Sequence, residues 1–365
     1  MIYFHIFNNY NINTNSKNIK KNICTILINL LKSYLKVLIV NHQNVVEIYL
    51  NKNLMTIIKN ITYFALIMLS FLRSAIPSET NQEFNLTEIA KNNYVHIGNH
   101  VSIEDIGNDD IANIGFIVGN NCVAVIDTGG SIKTGEKLKN SIREITKKPI
   151  CYVINTHIHF DHILGNKAFI EENANFVGHK DLAEAINRNR DFFLTQFKNN
   201  LGPKAKASDV IGPNILIEES TRLELGGRTL TLIPFSISHS YNDLIVIDNK
   251  TKTLWAGDLI FNERIPSLTG SLKGWIKTID EIKKLDVQKV IPGHGGITKS
   301  LTEALKQQQD YFKLLLNQTR KAIAEGIFIN EAMENIDKDN QLKWLLHDYQ
   351  HSTNVSKAYT ELEWE

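Results

Sequence analysis

Four metal-capable side chains fall within six residues in the segment Thr156-His157-Ile158-His159-Phe160-Asp161-His162, directly after the apolar stretch Cys151–Asn155. The apolar stretch reads as a buried strand. Side chains so closely spaced cannot all point one way on a strand or a helix. On a loop at a strand's C-terminal end they can splay around two ions. Neutral imidazoles suit Zn²⁺ and Fe, and a carboxylate adds harder oxygen ligation. Such a cluster implies a fold that delivers further ligands from distant parts of the chain.

The rest of the sequence reads as two β-rich blocks with helices between and after them. Tyr94–His96, Ile114–Val118 and Val123–Ile126 read as strands, the last two joined at Gly119-Asn120-Asn121. Lys133–Lys147 reads as an amphipathic helix stopped by Pro149, a further helix is expected at about 163–171, and Asn175–Gly178 is a short strand. Residues 181–213 read as a helix plus a long loop, and 215–257 turn β-rich again. Gly274–Leu285 reads as a helix, Lys289–Ile291 as a strand, and 300–325 and 340–347 as helices. That order predicts an α/β (α+β) chain built as an αββα sandwich, with a hydrolase-type domain over 85–300 and a helical C-terminal extension over 301–365 packed on it.

At this point the chain resembles the metallo-β-lactamase superfamily, whose signature is HxHxDH. The resemblance covers roughly residues 90–300 and continues in order. It runs through Ile126-Asp127-Thr128-Gly129, Ser238-His239-Ser240-Tyr241-Asn242-Asp243, Ala256-Gly257-Asp258-Leu259 and Ile291-Pro292-Gly293-His294-Gly295. It implies that His157, His159 and His239 hold one metal, that Asp161, His162 and His294 hold a second, and that Asp258 bridges them. Two zinc ions are the implied cofactor, with iron as the other candidate. Asp127 is implied to orient the ligand loop by hydrogen bonds, and Asp243 is a candidate to orient His239. Chemically, two such ions share a hydroxide that attacks a small ester, thioester or lactone, while Asp161 accepts or relays a proton. Many true β-lactamases place a cysteine where this chain has Asp258, so antibiotic hydrolysis is a secondary reading. The same ligand set is compatible with an iron-containing oxygenase acting on persulfides, or with a non-catalytic metal-binding accessory protein.

A narrower resemblance is to zinc metallohydrolases of quinoprotein relay systems, related to the hydrolase of sulfur-oxidation clusters. It is carried by Arg264-Ile265-Pro266-Ser267-Leu268, Gly270-Ser271-Leu272-Lys273-Gly274-Trp275 and Leu362-Glu363-Trp364-Glu365, with Thr269 as a departure. It implies a periplasmic setting and a quinoprotein dehydrogenase as partner. Arg264 and Lys273 are candidates to bind a substrate carboxylate. Trp275 reads as core, Trp344 and Trp364 as packing anchors, and His96, His100, His179, His347 and His351 as surface or packed imidazoles.

Charge and leader complete the reading. Residues 1–75 hold eight basic side chains against Glu47 alone, which leaves the remainder mildly acidic under an overall formal charge of +1. An acidic body is a poor partner for phosphate backbones, so nucleic acid is excluded and a small molecule is the expected substrate. Residues 1–54 contain no Gly, Pro or Ala and read as a non-native upstream extension or a disordered segment. From Met55 a short basic region, the apolar run Ile61–Leu72 and small residues over 74–78 read as a signal peptide over 55–78, or a membrane anchor if uncleaved. The protein is therefore expected to be periplasmic or secreted. Cys122 and Cys151 sit among apolar residues and read as buried core thiols; a disulfide between them cannot be derived from their spacing.

Overall fold

The structure is a computed structural model that describes residues 84–105 and 107–365. The expected leader at 55–78 and the segment before it lie outside the described residues. Seven strands form one sheet in sequence order: β1 (Leu86–Ala90), β2 (Asn93–His96), β3 (Ile114–Val118), β4 (Val123–Ile126), β5 (Ile150–Ile154), β6 (Asn175–His179) and β7 (Ile215–Ile217). Pairing is antiparallel through β4 and parallel from β4 to β7. A second sheet holds β8 (Thr221–Glu224), β9 (Thr229–Pro234), β10 (Leu244–Asp248), β11 (Thr253–Trp255) and β12 (Lys289–Ile291), in the order β12-β11-β10-β9-β8.

Strand periodicity explains the layering. Along β4, Ala124 and Ile126 face the second sheet, where they join Leu230, Leu232, Val246 and Trp255. Val123 and Val125 face the other way, onto Leu138 and Ile142 of α1 (Ile132–Ile145). These two residues lie one helical turn apart on α1, which Ser131 caps by accepting the Thr134 N–H at 3.0 Å. The second sheet is covered on its far side by α5 (Leu272–Ile282), α6 (Leu301–Ala324) and α8 (His347–Leu362), through Trp275, Ile279, Phe312, Leu315, Val355 and Ala358. The result is the αββα sandwich with its C-terminal helices packed on it.

Several details differ from the sequence reading. The helix expected at 163–171 is a short α2 (Phe160–Ile163) that runs on as a 3₁₀ helix, Leu164–Glu172. Segment 181–213 forms α3 (Leu182–Gln196) and α4 (Lys198–Leu201) before its loop. No helix occupies 340–346. Instead α7 (Ile329–Asn335) and α8 flank an irregular stretch in which Asp337, Asn340, Lys343 and Leu346 are all left-handed. Helix α8 escapes periodicity because His347, His351 and Asn354 occupy its buried face, where apolar residues would announce it. Trp344 is buried, but Trp364 is 84% exposed and anchors nothing.

Cys122 and Cys151 are not free thiols: they form a disulfide. Cys122 directly precedes β4 and Cys151 lies in β5, and the parallel pairing sets Val123 opposite Ile150. That register brings the two Cα atoms to 5.8 Å, within bridging range. A 29-residue separation enclosing a whole helix conceals this proximity in the sequence.

Candidate metal centre

Each metal-capable segment follows the C-terminal end of a strand. His157 and His159 lie on the loop after β5, and Asp161 and His162 in α2. His239 lies between β9 and β10, Asp258 in the 3₁₀ turn Gly257–Leu259 after β11, and His294 beyond β12. The sandwich gathers all seven into one cluster, buried except for the half-buried His159, that divides into His157, His159, His239 and Asp258, and Asp161, His162 and His294.

The facing atoms lie at ligand spacing. His159 Nδ1 is 3.0 Å from His157 Nε2 and 2.9 Å from His239 Nε2. His157 and His239 Nε2 are 3.2 Å apart. Two ligands held about 2.1 Å from one tetrahedral ion stand roughly 3.4 Å apart, so these atoms already approximate the face of such a site. Asp258 spans both groups: Oδ1 is 3.1 Å from His162 Nε2, while Oδ2 is 3.3 Å from both His239 and His294 Nε2. Asp161 Oδ2 is 3.3 Å from His294 Nε2.

The outward nitrogens fix the tautomers. His162 Nδ1 donates to Asp127 Oδ2 at 2.8 Å, His239 Nδ1 to the Ser267 carbonyl at 2.7 Å, and His294 Nδ1 to the Ile111 carbonyl at 2.7 Å. The Thr156 hydroxyl donates to Asp127 at 2.8 Å and so accepts from His157 Nδ1 at 3.0 Å. Thr269 likewise donates to the His239 carbonyl at 2.6 Å and accepts from His159 Nε2 at 3.4 Å. Each imidazole thereby turns its second nitrogen inward, as metal ligation requires.

Buried polar atoms test the fit. His162 Nε2 and Asp258 Oδ1 are buried with no hydrogen-bond partner, a cost of about 1–3 kcal/mol each unless a cation takes their lone pairs. Burial holds His157 and His239 well below the usual imidazole range, so they are neutral donors. Burial also disfavours a charge on His162, but Asp258, Asp161 and Asp127 overcome it and hold that imidazole well above its usual value. The carboxylates thus favour positive charge at this place, and the donor set is able to bind metal ions.

Close backbone approach makes room for the carboxylate. A Cβ on Gly293 would strike Asp258 Oδ1, and the Gly293 N–H donates to the Gly257 carbonyl at 2.8 Å. Asp127, itself left-handed, accepts from the Thr156 N–H at 2.8 Å as well as from His162. Asp243 accepts from the N–H and hydroxyl of Ser240 at 2.8 and 2.6 Å, closing the turn that carries His239. Trp275 is fully buried and meets the His239 ring edge-on, with centroids 5.1 Å apart.

The two candidate substrate cations part company. Lys273 is on the surface, tied to Glu365 at 3.0 Å. Arg264 is only 9% exposed, with Nη1 3.5 Å from His294 Nδ1; burial pulls its guanidinium below the usual value while the charges of Asp161 and Asp258 oppose that, though among the described residues no carboxylate forms an ion pair with it. Thr156, Thr269 and the carbonyls of Ser267 and Ile111 were not foreseen. Thr156 adjoins the motif and could have been noticed; a carbonyl leaves no trace in a sequence.

The Metallo-beta-lactamase superfamily profile matches residues 107–294. The chain belongs to that superfamily. Among curated proteins it is 22% identical over 251 residues to a linear primary-alkylsulfatase of a Pseudomonas species, covering 58% of this chain and 47% of that one. It is 26% identical over 305 residues to an alkyl/aryl-sulfatase of Saccharomyces cerevisiae, covering 68% and 46%. The chain thus spans about half the length of the curated relatives it matches. Among solved structures, a stereoselective inverting sec-alkylsulfatase from Pseudomonas superposes with a TM-score of 0.57 at 20% identity, over 76% of this chain and 50% of that one. A metallo-beta-lactamase from Pontibacter korlensis superposes with a TM-score of 0.51 at 18% identity, over 63% and 98%. Both likenesses are of fold.

Proposed function

We propose that this protein is a dinuclear-metal hydrolase of small organic esters that carry an anionic group, a sulfate monoester foremost. The observation that carries this reading is Arg264, a buried guanidinium beside His294 with no carboxylate of its own. Burial disfavours its charge, and the carboxylates that favour it, Asp161 and Asp258, are the ones that would hold metal, so a substrate anion would supply a partner of its own. The alkylsulfatases among the relatives support the choice of sulfate. Leu345, paired through its backbone with Arg264, leaves 48% of its surface exposed beside it and offers an apolar face to the esterified organic group.

His157, His159, His239 and Asp258 would hold one ion, and Asp161, His162 and His294 the other, with Asp258 shared. Zinc fits this set of imidazoles and carboxylates, and such a pair supplies Lewis acidity and water activated at neutral pH. Arg264 binds and orients the anion, and the buried walls limit bulk water. Asp161, 3.3 Å from His294 Nε2, is placed to take and return a proton.

The Cys122–Cys151 disulfide supports an oxidising compartment, in keeping with the leader read over 55–78 and a periplasmic or secreted location. A quinoprotein dehydrogenase partner rests only on the segments 264–275 and 362–365.

The test is a substrate panel. Chelated protein reloaded with zinc should turn over an alkyl sulfate faster than the matched carboxylic ester, thioester or nitrocefin, without consuming oxygen, and His159→Ala should abolish turnover. Iron-dependent oxygen uptake on a persulfide, or no turnover of any ester, would overturn the reading.

A further inference from the structure

A second buried cluster of histidine and carboxylate lies in the C-terminal helices and shares no residue with the centre described above: Asp337, His347 and His351. His347 and His351 are one turn apart at the start of α8, with rings stacked at 4.4 Å. Asp337 follows α7 and approaches them from the irregular stretch. We propose that these three side chains form an additional site for a divalent transition metal such as zinc, one that braces the wall of the substrate site.

Unpartnered atoms carry the argument. Asp337 Oδ2 and His347 Nε2 are both buried and lack any hydrogen-bond partner. Among the described residues the only other histidine or aspartate atoms in that condition are His162 Nε2 and Asp258 Oδ1, in the binuclear cluster. Asp337 Oδ2 and His347 Nε2 stand 3.4 Å apart. A charge-assisted hydrogen bond between them would close to about 2.7–2.9 Å. The observed gap instead falls within the 3.1–3.6 Å that separates Asp258 from His162, His239, His294 and His157. In the tautomer whose Nδ1–H donates to Asp348 Oδ1 at 3.3 Å, the Nε2 lone pair is directed at the Asp337 carboxylate. Two lone pairs facing each other in a buried site call for a cation between them.

His351 supplies a third donor. Its Nε2 lies 2.6 Å from the Ile336 carbonyl, and its Nδ1 lies 2.9 Å from the Tyr311 hydroxyl. Without an ion, Nε2–H donates to that carbonyl and Nδ1 accepts from the Tyr311 hydroxyl; an ion taking Nε2 would move the ring proton to Nδ1 and draw Nε2 away from the carbonyl. Two imidazoles and a carboxylate, with their ligand atoms within 4.8 Å of one another, suit a borderline divalent ion. A cavity of about 520 Å³, lined by His347, His351, Glu334 and Asp348 among others, gives such an ion a way in.

The location gives the ion a task. Between Asp337 and His347 the chain carries left-handed backbone at Asp337, Asn340, Lys343 and Leu346, at a cost of order 1 kcal/mol or more for each side chain that resists it. Within this stretch the Leu345 N–H donates to the Glu263 carbonyl at 2.9 Å, and the Leu345 carbonyl accepts from the Ile265 N–H at 3.0 Å. Those two bonds bracket Arg264. A metal pinning both ends of the stretch therefore steadies the backbone beside that guanidinium.

Metal counting on the full chain tests the site. Protein stripped with a chelator and reloaded with zinc should bind three equivalents by elemental analysis. His347→Ala and Asp337→Asn should each bind two, with the third affinity weakened at least tenfold, while His159→Ala should keep the third ion. An X-ray anomalous difference map of the zinc-loaded wild type should show a peak between Asp337, His347 and His351, a readout that no variant's folding can confuse. No anomalous peak at this place, or an equal metal count in His347→Ala and the wild type, overturns the proposal, whether or not the protein proves to be an esterase.

Discussion

Asp127 Oδ2 accepts the Nδ1 proton of His162 at 2.8 Å, across 35 residues of sequence, and the same oxygen takes the Thr156 hydroxyl at 2.8 Å. One carboxylate at the end of β4 thus fixes the tautomer of His162 directly and that of His157 through Thr156. The Asp127→Ala variant is expected to keep the fold but bind zinc about 10–100-fold more weakly, the usual consequence of losing a partner behind a ligand. Competition with a chromophoric chelator measures it. Unchanged affinity would show that the two rings are oriented without Asp127.

Gly293 tests the cluster from the backbone side. Its missing Cβ is the space that Asp258 Oδ1 occupies. Gly293→Ala should displace the carboxylate that spans the two halves of the site, lowering metal content and removing turnover, with far-ultraviolet circular dichroism unchanged. Retention of a full metal complement would mean that Asp258 relaxes without losing its ligand geometry.

How much of this was legible beforehand differs by element. His157, His159, Asp161 and His162 announce themselves because they crowd into one loop, and Lys289–Ile291 is bounded as expected because the apolar pair Val290-Ile291 is stopped at once by Pro292. His239, Asp258 and His294 could be assigned only through resemblance, since a lone histidine carries no spacing information. Arg264 and Lys273 looked alike in sequence and separate only in space, one buried near His294 and the other tied to Glu365 on the surface. The disulfide and the buried face of α8 were hidden for a common reason. Both depend on strand register or helix docking that local composition does not encode.

The Cys122–Cys151 bond closes a loop that constrains the unfolded chain. For a separation of 29 residues, chain-entropy bookkeeping gives about 3–4 kcal/mol of stabilisation. Reduction, or the paired Cys122→Ala and Cys151→Ala variant, should lower the urea midpoint without altering the metal content of folded protein. No change in the midpoint would show that the bond adds nothing to what β4–β5 packing already holds.

Arg264→Met should raise KM for a sulfate ester while leaving a neutral ester nearly unaffected, because only the anion loses a partner. A hydrogen bond to a charged group contributes about 1.5–3 kcal/mol, or roughly 10- to 150-fold. Equal losses on both substrates would assign Arg264 to structure instead of anion recognition.

Asp243 gives the pH dependence. Burial, above all, raises its carboxyl to about 7 from a reference of 3.8, against the hydrogen bonds from Ser240. The folded state therefore keeps a proton that the unfolded chain has already released. Stability from this group is fully present below about 4 and falls as pH rises through about 7. Bound cations favour the carboxylate and shrink the effect, so the measurement belongs to chelated protein. There, the melting temperature of the wild type minus that of Asp243→Asn should decrease steadily from pH 4 to pH 7. Subtraction of the variant removes the opposing trend from His157 and His239, whose depressed values make the folded state bind fewer protons than the unfolded chain. A difference that stays level or grows with pH would show that Asp243 is ionised in its turn, and that Ser240 alone is enough to hold its charge.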